Sequence, residues 1–136
     1  MIHIWRIAMD ASEVSLSSKR SPLDAPACFH GSFYLSPDGR LAGFALRIPA
    51  GEDELVWESV SLEPAAAPNR LTGRARLALG HRVITAEVSG LCAELPSRSL
   101  KIVLETTFPA RSLRWPARTG RSTLRLFTEL HPGCAR

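Results

Sequence analysis

Five arginines in the last third of the chain, Arg111, Arg114, Arg118, Arg121 and Arg125, recur every three or four residues with Trp115 among them. On a continuous helix that spacing makes one positive stripe able to follow a row of phosphates. Pro116 and Gly120 interrupt any such helix, so the segment reads as a loop. From a loop the same guanidiniums can still grip phosphate by bidentate hydrogen bonds, with Trp115 stacking on a base or sitting at a lipid interface. Segment 111–125 is therefore the candidate contact surface for a protein or an anionic partner; the alternative is a solvated loop between two strands. Nucleic acid ranks below both, because no helix-turn-helix or aromatic RNA-binding motif is present to read bases.

Residues suited to catalysis are scattered. No Gly-x-Ser-x-Gly elbow, Walker loop or Gly-x-Gly-x-x-Gly turn occurs, so no cofactor is expected. The acidic groups fall mostly on turns (Asp10, Asp24, Asp38 and the 52–54 run), whereas paired catalytic carboxylates must converge in a cleft. His30 near Ser32 and Ser12 near Asp10 are the nucleophile–base pairs on offer. Serines and histidines on strand faces ordinarily face water or hydrogen-bond within the fold, so no catalytic residue is assigned and the protein is expected not to be an enzyme. His3, His30, His81 and His131 lack the converging spacing a zinc site needs, and no metal is expected. Three cysteines without a Cys-x-x-Cys spacing argue against a disulfide framework. Cys28 and Cys92, in apolar surroundings, read as small core hydrophobes and Cys134 as an exposed thiol.

The elements that must position these residues are strands. From Arg70 to Leu79, Arg70, Thr72, Arg74 and Arg76 alternate with Leu71, Gly73, Ala75, Leu77 and Leu79, the period-two pattern of a half-buried strand. Residues 100–108 repeat it with Leu100, Ile102, Leu104 and Phe108 inward, and 40–48 with Phe44, Leu46 and Ile48. Further strands are predicted at 2–8, 13–17, 28–35, 55–62, 82–89 and 123–130. Ser36-Pro37-Asp38-Gly39 and Gly80-His81 supply tight turns. Glu52, Asp53 and Glu54 would suit a helix start, but the β-branched and aromatic residues that follow favour a strand from Leu55. Eight or nine strands in 136 residues predict a single all-β domain, an antiparallel barrel or alternatively a β-sandwich.

The chain is 45% hydrophobic, enough to build a core, yet no apolar run approaches the roughly 20 residues of a membrane-spanning helix. The first seven residues lack a signal-peptide pattern, which leaves a cytoplasmic protein or one whose leader has been removed. The net charge of +4 is uneven: residues 1–63 hold five basic and nine acidic groups, and residues 91–136 hold eight and three. Such asymmetry fits either an anionic partner or two halves that neutralise each other across their contact.

Trp5-Arg6-Ile7 followed by Asp10-Ala11-Ser12-Glu13-Val14 and Lys19 is similar to the first two strands of the YceI-like family of bacterial barrels. His30-Gly31-Ser32-Phe33 and the 36–39 turn match its next hairpin, and Leu71-Thr72-Gly73 through Gly80-His81-Arg82-Val83-Ile84-Thr85 its paired strands. The likeness covers roughly 1–49 and 55–90. It departs at Ala11, where the family has histidine, and between about Ala50 and Leu55, where a mid-chain helical stretch is missing. The resemblance implies an eight- to nine-stranded lipocalin-like barrel whose interior holds a long apolar chain, typically a polyisoprenoid.

A barrel of about eight strands is just wide enough to be filled by its own side chains or to hold one ligand. Its inward faces here are Leu, Ala, Gly, Phe and Ile, so any ligand must be apolar. The expected wall is Phe33, Phe44, Leu46, Trp57, Leu77, Leu104 and Phe108, with Gly73 and Ala75 leaving room at the middle. The leading expectation is thus non-enzymatic binding of an isoprenoid-type lipid inside the barrel. The alternative is a filled barrel acting as an interaction module through 111–125, its strand edges supporting partner binding or self-association.

Overall fold

A computed structural model describes residues 5–7, 13–17, 29–50, 52–113 and 121–132. The alternating segments become strands: β1 (Trp5–Ile7), β2 (Glu13–Ser17), β3 (His30–Leu35), β4 (Leu41–Ala50), β5 (Asp53–Pro64), β6 (Arg70–Leu79), β7 (Arg82–Glu94), β8 (Leu100–Pro109) and β9 (Arg121–Pro132). Asp53 and Glu54 open β5 rather than a helix, with Glu52 in the turn before it. A 3-10 turn, Ala110–Leu113, follows β8. Among the described residues no helix is long and apolar enough to cross a membrane.

All nine strands join one antiparallel sheet in the order β1-β9-β8-β7-β6-β5-β4-β3. β2 also pairs with β9: Ile7 sits opposite Leu130 and Glu13 opposite Phe127, so β1 and β2 follow one another along the same edge. Tight turns make the neighbours. Ser36 N–H donates to the Arg40 carbonyl (2.8 Å) and Gly39 N–H to the Ser36 carbonyl (2.9 Å), with Gly39 at φ 85°. Gly80, at φ 59°, turns β6 into β7.

The sheet curls into a lipocalin-like barrel because one face is apolar along every long strand. β8 buries Leu100, Ile102, Leu104, Thr106 and Phe108 in strict alternation, and β6 buries Leu71, Ala75 and Leu77. Trp57 on β5 donates its indole Nε1–H to Thr106 Oγ1 on β8 at 3.1 Å. Those strands lie three spacings apart in the sheet, roughly 14 Å if it were flat, so the bond forms only across a curved interior. The outer face carries the charge. Arg76 pairs with Glu58 at 3.1 Å across β5–β6, and Arg74 stands opposite Glu87, Lys101 opposite Glu129 and Glu105 opposite Arg125. Basic residues of the second half thus meet acidic ones on adjoining strands.

Candidate ligand cleft at the end of the barrel

Six of the seven expected wall residues form the packed centre. Phe44, Leu46, Trp57, Leu77, Leu104 and Phe108 each expose 1% or less, whereas Phe33, on the end strand β3, is half-buried. Phe44 and Trp57 meet edge to face, centroids 5.4 Å apart and planes at 80°, a favoured aromatic geometry. Side chains with no accessible surface border no water-sized space, so these close the middle of the barrel. Gly73 leaves no room there either. A Cβ on it would lie 1.9 Å from the Ser61 carbonyl oxygen, so the glycine serves a close approach of two backbones. Ala75 is fully buried opposite Ser59 and Ala86.

Space opens instead at one end of the barrel, and the local sequence explains why. In β5 the register slips between Ser59 and Ser61, turning Val60 out to 56% exposure. The β4–β5 ladder runs from Ala50/Asp53 only to Ala45/Glu58. Beyond it the Ser59 hydroxyl takes over the main chain of Phe44, accepting from its N–H at 2.9 Å and donating to its carbonyl at 3.3 Å. With the backbone satisfied by a side chain, the start of β4 and the end of β5 part.

The resulting cleft measures about 640 Å³ and lies among the 36–42 hairpin, residues 62–71, and Cys92, Glu94 and Leu100. Leu41, Leu71 and Leu100 are its most buried lining residues. Half-buried Leu62 and Cys92 adjoin them, and the Ala65-Ala66-Ala67-Pro68 loop forms one wall. Burial raises the pKa of the Cys92 thiol above its ordinary value, partly offset by a backbone hydrogen bond from Leu41. At the rim, the Ser36 hydroxyl donates to Asp38 and, with nearby Arg40, holds its carboxyl below the ordinary range. Chemically the cleft is mixed: leucines line its buried part, while Asp38, Arg40, Glu63, Asn69, Arg70 and Glu94 also border it. None of its lining residues is a site residue in the sequence analysis; Cys92, expected as a core hydrophobe, packs half-buried against the core while bordering the cleft.

A second, polar groove of about 430 Å³ crosses the outer face between Thr72, Arg74, Glu87, Ser89, Glu105 and Thr107. It offers hydroxyls and charges rather than apolar surface. Of the arginine set, Arg111 lies in the 3-10 turn, Arg121 opens β9 opposite Pro109, and Arg125 is exposed between Glu105 and Ser15. Arg114, Trp115 and Arg118 lie outside the described residues, as do Asp10, Ser12, Cys28 and Cys134. His30 and Ser32 are both exposed on β3, and His131 Nε2 sits 3.6 Å from Glu129. Among the described residues no three His, Cys, Asp or Glu side chains cluster as metal ligands.

The fold is thus an antiparallel, lipocalin-like barrel with a cleft at one end. The crystal structure of BcnA from Burkholderia cenocepacia has the same fold, with a TM-score of 0.69 at 14% identity over 93% of this chain and 99% of that one. No family model and no curated protein matches the sequence.

Proposed function

We propose that this protein is a non-enzymatic barrel that binds an apolar, lipid-like molecule of the isoprenoid type, with the end cleft as the site of entry and contact. The observation that carries the reading is the cleft itself: about 640 Å³ lined by Leu41, Leu62, Leu71 and Leu100, a size and lining suited to a small apolar ligand. The resemblance of the 1–49 and 55–90 segments to the YceI-like family supports the same ligand class. Burial at roughly 25 cal/mol per Å² supplies the affinity. A longer chain reaches Phe44, Leu46, Trp57 and Leu104 only by moving core side chains, so short isoprenoids should bind before long ones. Organic extraction of the purified protein with mass spectrometry, and titration with farnesol and longer prenols, test this. Absence of both co-purified lipid and saturable prenol binding would refute it.

The packed centre favours a second reading, a filled barrel whose contacts are made through Arg111, Arg114, Arg118, Arg121 and Arg125. Arg125, exposed on β9, belongs to that surface. Replacing Arg114, Arg118 and Arg121 by glutamate should then abolish partner capture and leave thermal stability nearly unchanged.

A further inference from the structure

We infer that Ser59 sets the width of the cleft: its hydroxyl is a wedge between β4 and β5, seated against Gly43, and without it the two strands zip by one further rung and narrow the mouth. This rests on the proposed reading of the cleft as the ligand site. Counting on from the last pair of the ladder, Ala45/Glu58, Phe44 stands opposite Ser59. Both main-chain groups of Phe44 point at β5: its N–H donates to Ser59 Oγ at 2.9 Å and its carbonyl accepts from the same hydroxyl at 3.3 Å. In a regular antiparallel pair those groups meet the main chain of the opposite residue, with the strands about 4.8 Å apart. Here a side-chain oxygen takes that place, so the next rung is blocked by the side chain of the residue that would form it.

The seat depends on a glycine. Gly43 is buried, and a Cβ there would lie 3.1 Å from Ser59 Oγ and 3.4 Å from Tyr34 Cδ2, so a side chain at this position would press on the hydroxyl and the ring together. The walls of the cleft begin just past the wedge, with Leu41 and Ala42 on β4 and Leu62, Glu63 and Pro64 on β5. Gly43, Phe44 and Ser59 are not among its lining residues. Ser59 therefore acts on a ligand through the spacing of the strands, as a positioning residue. The bulges at Ala42 and Val60 lie in the ladders with β3 and β6, on the far sides of both strands, whereas the hydroxyl occupies the seam itself. Zipping Phe44 to residue 59 draws the Leu41 and Leu62 walls together. A ligand that loses contact for about two methylene groups binds roughly tenfold more weakly.

The test compares the full-length parent with its Ser59→Ala and Ser59→Thr variants by NMR couplings across hydrogen bonds and by farnesol titration. In the parent the Phe44 amide bonds to a hydroxyl, so it shows no coupling to a backbone carbonyl. In Ser59→Ala it should gain a coupling to the carbonyl carbon of residue 59 and exchange more slowly with solvent, and farnesol should bind about tenfold more weakly. Ser59→Thr keeps the hydroxyl and should match the parent in every readout. A hydroxyl that merely stabilised the fold would behave otherwise: its removal would leave the Phe44 amide unbonded and exchanging faster, with the cleft unchanged. That result, or a farnesol affinity unaffected in Ser59→Ala, would overturn the inference, while farnesol binding by the parent would keep the ligand site in place. A parent that binds no farnesol would overturn the ligand site and the inference with it.

Discussion

The indole N–H of Trp57 and the hydroxyl of Thr106 meet at 3.1 Å across the barrel, tying β5 to β8 through a core in which both residues are buried. Phe44 packs edge-on against the same indole, so the tie also fixes the aromatic centre. Replacing Thr106 by valine keeps the volume and removes the acceptor. A buried N–H left without a partner costs about 1–3 kcal/mol. Urea unfolding of Thr106→Val should register that loss; a variant as stable as the parent would show that the tie contributes nothing.

The close approach at Gly73 makes a paired prediction. Adding a methyl there places it 1.9 Å from the Ser61 carbonyl oxygen, a backbone atom in a paired strand that cannot swing away. Gly80 has open space around it but sits at φ 59°, where an L side chain costs about 1 kcal/mol. Gly80→Ala should therefore lower stability by about 1 kcal/mol, and Gly73→Ala by clearly more. Thermal melts in which the two changes cost the same would contradict the packed bulge described for β5.

Cys92 gives the molecule a pH dependence of known sign. Burial raises its thiol pKa above the ordinary 9.0, so on raising the pH the unfolded chain ionises first. Below about pH 9 both states are protonated and this thiol contributes nothing to the pH slope; above it, stability falls until the folded thiol also ionises. Relative to a Cys92→Ala variant, the parent should lose stability as the pH rises above about 9. Parallel stability–pH curves would contradict the assignment.

Arg125 faces Glu105 on β8, a carboxylate of its own 91–136 region, so this arginine has an acidic neighbour on the adjoining strand. Polyanion binding through the segment is therefore expected to be weak and fully salt-reversible. If four or five arginines engage, log K against log salt should fall with a slope of about −3 to −5. Heparin or anionic-vesicle binding that survives moderate salt would instead move the basic segment to the centre of the function.

Period-two alternation made the strands legible, and Ser36–Gly39 and Gly80-His81 made two of their turns legible, because each depends on neighbours in sequence. The cleft depends on two slips of phase. Phe44, Leu46 and Ile48 set even positions inward while buried Leu41 is odd; Leu55 and Trp57 set odd positions inward while Leu62 is even. Those slips are visible in the sequence and mark bulges, but not that the strands part between them. That follows from Ser59 replacing a backbone partner of Phe44, a long-range contact. Gly73 was misread for the same reason: a small inward residue signals either space or a close neighbour, and only the partner strand decides.

The central claim is that an apolar ligand occupies the end cleft, and a backbone-amide NMR titration with farnesol tests it most directly. Saturable shifts should concentrate at Leu41, Leu62, Leu71, Cys92 and Leu100, with the outer-face strand residues Arg74, Glu87 and Glu105 unmoved. No saturable shifts, or shifts confined to residues 111–125, would contradict the account.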